Sequence, residues 1–208
     1  MLDRWALPLV KKPLHMGACF LHRHGIKADQ VTLAGFFIGI LCLPALLMHW
    51  YWFASVCILL NRLADGLDGE LARLVGPTDA GAFLDIVLDF IFYSSVVFGF
   101  ALADPEHNSL AAAALLFSFV GTGASFLSFA TMAERLGIER IVYPSKGFFY
   151  LGGLAEGTET LLVLILFCLF PHSFEWLAYG FASVCWVTVL TRVAGGYLIL
   201  RQKRDAHG

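Results

Sequence analysis

The sequence predicts an all-α integral membrane protein, with six transmembrane helices and an N-terminal interfacial amphipathic helix. Three observations lead there. The 208 residues are 59% hydrophobic and only 14% charged, with a mean hydropathy of +0.75, a composition typical of lipid-embedded chains and not of soluble ones. Apolar runs near the ~20 residues needed to cross a bilayer core recur along the chain. Lys and Arg gather in alternate loops, as they do when one side of a membrane retains positive charge.

The elements follow in order. Residues 1–25 are too polar to span. Leu2, Trp5, Leu9, Met16 and Phe20 lie at near-helical spacing, and Arg4, Lys11, His15 and His22 form a second stripe. This pattern fits a helix lying on the inner leaflet, interrupted by Pro8 and Pro13; a disordered basic tail is the other reading. Six spans are expected at residues 29–48, 53–74, 80–102, 109–133, 149–170 and 177–200, making residues 29–200 one six-helix bundle. Asp104–Asn108 separates the third from the fourth, and Pro171–Ser173 the fifth from the sixth. Arg4, Lys11, Lys12, Arg23, Lys27, Arg73, Arg135, Arg140, Lys146, Arg201, Lys203 and Arg204 then all fall on one side. The opposite loops hold Asp104, Glu106 and Glu175 without Lys or Arg. Both termini are therefore expected in the cytoplasm, with Trp50, Tyr51, Trp52 and Trp176 in the outer aromatic belt.

The chain reads as one domain over residues 1–208, without internal repeat, signal-peptide pattern or nucleic-acid partner. Its five cysteines show no paired spacing and read as small buried hydrophobes.

Chemistry concentrates in Asp65-Gly-Leu-Asp68-Gly69-Glu-Leu-Ala72-Arg73 and Gly81-Ala-Phe-Leu-Asp85-Ile-Val-Leu-Asp89. An Asp inside a membrane helix costs about 2.5–3.5 kcal/mol on insertion scales, so such residues mark sites. Asp65 and Asp68 are spaced i, i+3 and Asp85 and Asp89 i, i+4, so each pair shares a helix face. Two facing helices would converge four carboxylates on one pocket, and hard divalent cations are the natural compensating charge. Internal salt bridges are the alternative, with Arg62, Arg73 and Arg192 in reach. Three arginines do not neutralise four aspartates plus Glu156 and Glu159, however, and the spacing fits a two-metal clamp. By helical rise the carboxylates and Arg192 lie on the order of 8–14 Å below the cytoplasmic boundary, where a lipid headgroup and a soluble nucleotide meet. Arg62 is deeper and is expected to face the bundle interior and pair.

The pattern D-x2-D-G-x2-A-R-xn-G-x3-D-x3-D resembles the signature of the CDP-alcohol phosphatidyltransferases, with an Arg73–Gly81 spacing slightly shorter than the family's usual one. The resemblance implies transfer of a phosphatidyl group from CDP-diacylglycerol to a small hydroxyl-bearing acceptor, with release of CMP, in phospholipid biosynthesis. It implies two divalent cations, Mg²⁺ or Mn²⁺, on Asp65, Asp68, Asp85 and Asp89, with Asp89 also the general base. It assigns nucleotide contacts to Asp68, Gly69, Ala72, Arg73 and Gly81, and to Thr32. Thr32 matches the end of the family's entry motif to the first span, where Asp29 reads as a helix N-cap or a nucleotide contact. A homodimer is implied, and Gly121, Gly123 and Ala124 would permit the close helix approach it needs. The location implied is a bacterial inner membrane, with the active site facing the cytoplasm.

Acceptor contacts are expected from Arg135, Arg140, Lys146, Glu156, Glu159 and Arg192. The cations at the mouth would steer an anion, and favour a phosphorylated acceptor; the glutamates would instead suit hydroxyls or an ammonium. Two other functions stay open. One is an enzyme moving a CDP-linked polar alcohol onto diacylglycerol. The other is a divalent-cation carrier, which would leave Gly69, Ala72, Arg73 and Gly81 without a purpose.

Overall fold

The computed structural model describes residues 3–136 and 154–205, and among these it is all-helical. Eight helices run in order: α1 (Asp3–Arg23), α2 (Ala28–Ile40), α3 (Cys42–Leu47), α4 (Tyr51–Val75), α5 (Asp79–Ala103), α6 (Pro105–Arg135), α7 (Gly157–Leu169) and α8 (Phe174–Asp205), with a 3-10 turn at Pro171–Ser173 before the last. Among the described residues, four segments are long and apolar enough to cross a membrane: Ala28–Leu47, Asp79–Ala103, Pro105–Arg135 and Pro171–Gln202. They make this an integral membrane protein. The two other expected spans look different. α4 has the length, at 25 residues, but carries Arg62, Asp65, Asp68, Glu70 and Arg73. α7 is apolar but covers only 13 residues, and the start of the expected fifth span lies outside the described residues.

Two local expectations change. The expected first span is divided at Leu41 into α2 and α3. Pro44 has no N–H to donate to Ile40, and its ring crowds that carbonyl. α1, by contrast, continues through Pro8 and Pro13 without interruption. An interior Pro costs about 3 kcal/mol or more, so packing must carry this helix. Ala18 is fully buried, and Gly17 and Gly66 lie against Leu67 and Leu14, which seats α1 on α4. Met16 and Phe20, 67% and 61% exposed, face away from the bundle.

The turns follow ordinary chemistry. α4 ends on Gly76 at φ 104°, a conformation glycine adopts without a Cβ penalty. Thr78 then caps α5 by accepting a hydrogen bond from the Gly81 N–H at 3.0 Å. Asp104 caps α6 through the His107 N–H at 3.3 Å, with Pro105 in the first turn, where its missing N–H costs nothing.

An aromatic core lies toward the end of the bundle away from the carboxylates. Phe100, Phe167 and Phe174 are buried there with Leu46 and Leu115. Phe174 stacks on Phe100 at 4.7 Å between ring centroids and meets Phe167 edge-on at 4.8 Å. Outward faces carry Phe37, Leu59, Phe98, Leu110, Phe117, Val120 and Leu190, all exposed, as lipid contact requires. Gly121 faces Trp186 and Val189, and Gly123 faces Phe90. Both contacts lie within the chain, where these glycines let α6 pack closely on α8 and α5.

Candidate active site

Helical spacing places Asp65 and Asp68 on one face of α4, and Asp85 and Asp89 on one face of α5. α2 closes over them because its glycines allow close approach. A Cβ on Gly35 would collide with that of Ala64, and one on Gly39 would come within 2.8 Å of the Phe92 ring. Asn61 ties the two backbones together, its Nδ2 donating to the Gly35 carbonyl at 3.2 Å. Asp65, Asp68 and Asp85 each contribute one carboxylate oxygen to a set lying within 4.8 Å of one another. The recess they share with Thr32, Asn61 and Asp89 has a volume of about 10 Å³, which accommodates a single water-sized sphere.

Two features make this more than an acidic patch. Asp68 is only 5% exposed, and its buried Oδ2 has no hydrogen-bond partner. A buried carboxylate oxygen without a donor is costly, and a hard divalent cation is the partner that carboxylates at this spacing suit. The residues present therefore fit a metal.

Asp89 lines the same recess but has another partner. Arg62 donates from Nη2 to Asp89 Oδ1 at 2.5 Å and from Nη1 to Oδ2 at 3.4 Å. The same Nη2 stands 3.1 Å from Asp65 Oδ1, while Nη1 donates to the Tyr93 hydroxyl at 2.5 Å. Arg62 thus faces inward and pairs, as an intramembrane arginine should.

The expected nucleotide residues flank the carboxylates on the side of the α4–α5 turn. A Cβ on Gly69 would lie 3.7 Å from the Arg73 guanidinium. One on Gly81 would lie 3.0 Å from both Asp29 Oδ1 and Thr78 Oγ1. Arg73 is held by Glu70 at 2.8 Å, and the other Glu70 oxygen lies 3.6 Å from His15 Nδ1 on α1. Thr32 sits one turn into α2, its hydroxyl donating to the Ala28 carbonyl at 3.1 Å. Asp29 is not the N-cap, because α2 begins at Ala28 and Lys27 takes the capping position. The Asp29 carboxylate points to Gly81 instead.

On the other side of Asp85 and Asp89 a cavity of about 430 Å³ opens between α4, α5, α6, α7 and α8. Arg62, Tyr93, Glu156, Thr160 and Arg192 supply much of its polar wall. Arg192 donates to the Thr122 carbonyl at 3.4 Å and lies 5.6 Å from the Phe126 ring. Its Nε is buried without a partner. Of the expected acceptor residues, Glu156 and Arg192 line this cavity. Glu159 stands in the first turn of α7 but does not line it. Arg135 ends α6, exposed and away from it. Arg140 and Lys146 lie outside the described residues. The sequence reading missed Asn61, Tyr93, Thr122 and Thr160. Asn61 and Tyr93 are polar groups one turn from Asp65 and Asp89, a signal that was available; the threonines carry none.

The bundle of membrane helices thus brings a cluster of carboxylates beside a polar cavity. The CDP-alcohol phosphatidyltransferase family model matches residues 26–194, and the chain belongs to that family. It is 55% identical to the inner membrane protein YnjF of Escherichia coli K12, over 97% of this chain and 98% of that one. It is 27% identical to the archaetidylinositol phosphate synthase of Pyrococcus horikoshii, over 89% and 92% of the two chains. Among solved structures, the phosphatidylinositol phosphate synthase of Mycobacterium tuberculosis with CDP-DAG bound shares the fold, with a TM-score of 0.66 at 21% identity, covering 88% of this chain and 93% of that one. The same enzyme in complex with manganese and citrate also gives 0.66.

Proposed function

We propose that this protein transfers the phosphatidyl group of CDP-diacylglycerol to a hydroxyl of a small polar acceptor and releases CMP. One observation carries the reading: the buried, unpartnered Asp68 oxygen beside Asp65 and Asp85, between the glycine shelf and the open cavity. Asp65, Asp68 and Asp85, with Asp89 alongside, would hold a pair of divalent cations, Mg²⁺ or Mn²⁺, which as Lewis acids draw charge from the phosphoryl oxygens.

The protein's own residues do the rest. Gly69, Ala72 and Gly81 leave room for the cytidine diphosphate to approach the backbone. Arg73 meets its phosphates with a planar fork of donors, held by Glu70. The acceptor enters the cavity between Arg192 and Asp89. Its oxygen attacks the phosphorus that carries diacylglycerol, the bond to the CMP oxygen breaks, and Asp89 takes the hydroxyl proton. Without bound ions, Arg62 holds Asp89 through both carboxylate oxygens.

A phosphorylated acceptor suits the site best, because the buried Arg192 Nε lacks a partner that an anion would supply. The relatives named as inositol phosphate lipid synthases support the same class. α4 and α7 complete six spans in this reading. Both termini and the site face the cytoplasm, α1 lies on the inner leaflet of a bacterial inner membrane, and the protein is a homodimer.

The test is CMP release by purified protein from CDP-diacylglycerol with Mg²⁺ or Mn²⁺, across inositol phosphate, glycerol phosphate, serine, inositol and simple alcohols. Turnover with a phosphorylated polyol, at a KM that rises with ionic strength, is expected. Turnover restricted to uncharged or cationic alcohols refutes the acceptor class, and absence of CMP with every acceptor refutes the transfer.

A further inference from the structure

We propose that Arg62 is a built-in cation of the carboxylate site, and that its Nη2 occupies the position a second divalent cation would take between Asp65 and Asp89. The inference rests on the metal-dependent reading above and concerns how the site loads.

The geometry is specific. Nη2 lies 2.5 Å from Asp89 Oδ1 and 3.1 Å from Asp65 Oδ1, so one nitrogen joins carboxylates from α4 and α5. Magnesium and calcium sit about 2.0–2.6 Å from such oxygens. A cation bridging the same pair would need the same space. The arginine does not leave by deprotonation, since a guanidinium stays charged in proteins. It is also fixed on its far side. Nη1 donates to Tyr93 at 2.5 Å, the guanidinium lies 5.1 Å from the centre of the Tyr93 ring, and the side chain is 14% exposed.

Charge balance points the same way. Asp65, Asp68, Asp85 and Asp89 together carry four negative charges when ionised. Arg62 and one divalent cation offset three of them. A second divalent cation with Arg62 still in place would leave the cluster net positive. The oxygens of Asp65, Asp68 and Asp85 that lie within 4.8 Å of one another, with the unpartnered Asp68 Oδ2, remain for the first ion. The second can bind only as Arg62 gives way. The protein without substrate should therefore hold one divalent cation tightly and admit another only weakly.

Mn²⁺ binding to the full chain in detergent, without nucleotide, tests this by titration calorimetry and by electron paramagnetic resonance of the free ion. The wild type should bind one Mn²⁺ per chain, with any second at least tenfold weaker, about 1.4 kcal/mol. Arg62→Met should bind two of comparable affinity. Arg62→Lys keeps the charge and should stay near one. Retention of the first ion reports that a variant is folded, and Arg62→Gln replaces Arg62→Met if the latter is lost. Two equivalent ions in the wild type, or a single ion in both neutral variants, overturn the role given to Arg62 and leave the transferase reading intact. No Mn²⁺ on the wild type removes the metal-dependent reading itself, and this inference with it.

Discussion

Replacing Asp89 by Asn separates a base from a ligand. Asn has nearly the same shape, so the substitution removes charge and proton affinity while leaving the volume in place. In the wild type Arg62 reaches both Asp89 oxygens, at 2.5 and 3.4 Å, and also holds Asp65 at 3.1 Å and Tyr93 at 2.5 Å. The substituted amide offers that fork one acceptor oxygen instead of two, but Arg62 keeps its other partners. The folding cost is therefore that of one weakened charged hydrogen bond, roughly 1.5–3 kcal/mol at most. At this chain length each kcal/mol lowers Tm by about 2–4 °C, so the variant should purify and melt cooperatively. Catalysis should suffer far more. Loss of a general base costs about 10²–10⁴-fold in kcat, or roughly 2.7–5.4 kcal/mol of activation free energy. KM for CDP-diacylglycerol should change little, because Arg73, Gly69 and Gly81 lie on the other side of the carboxylates. The assay is CMP release over a range of CDP-diacylglycerol at saturating acceptor, beside a thermal melt. If kcat survives while affinity for CDP-diacylglycerol collapses, Asp89 is a ligand and not the base.

Three further outcomes follow from the same geometry. Asp65→Asn, Asp68→Asn and Asp85→Asn should each abolish turnover, and each should lose the rise in Tm that Mn²⁺ is expected to give the wild type, while the protein still elutes as a folded species; near-native activity in any one would break the ligand assignment. Arg192→Gln should raise acceptor KM by about 10–150-fold, the equivalent of one charge-assisted hydrogen bond of roughly 1.5–3 kcal/mol, with CDP-diacylglycerol KM unchanged; equal losses in both would place Arg192 elsewhere in the mechanism. Phe174→Ala leaves a cavity of roughly 100 Å³ and should cost about 2 kcal/mol at 24 cal/mol per Å³, because lipid removes most of the transfer contribution that such a change has in water. Activity below the lowered Tm should remain, and loss of activity without loss of Tm would contradict that division.

What could be read from the chain, and what could not, has a physical basis. The pairs Asp65–Asp68 and Asp85–Asp89 were legible because helical spacing decides which residues of one helix share a face. Their position within apolar sequence was legible because membrane helices are long and uniform. The register between helices was not. Nothing in the spacing of Arg62 says that it reaches Asp89 across to α5, or that Glu70 stands between Arg73 and His15. Those contacts depend on how far Gly35 and Gly39 let α2 approach, and on how Gly17 and Gly66 seat α1. The break at Leu41 was foreshadowed by Pro44, yet α1 ran straight through two prolines because its packing on α4 outweighed their local cost. Propensity is a weak prior once a helix face is buried.

The two ends of the bundle divide the work between them. At one end Phe100, Phe167 and Phe174 interlock, with Tyr51 stacked on Phe100, and this aromatic cluster joins α4, α5, α7 and α8. At the other, α4 and α5 present carboxylates to each other beside the cavity lined by Glu156, Thr160 and Arg192. One helix serves both ends: α5 contributes Asp85 and Asp89 in its first half and Phe100 near its end. The aromatic contacts fix the direction in which α5 leaves the core, and hence where its carboxylates arrive. An orphaned Asp68 oxygen and a half-satisfied Arg192 are tolerable because the far end supplies the stability that they forgo. Strain of this kind persists where surrounding structure over-determines it, and here it is concentrated where substrate and metal would relieve it.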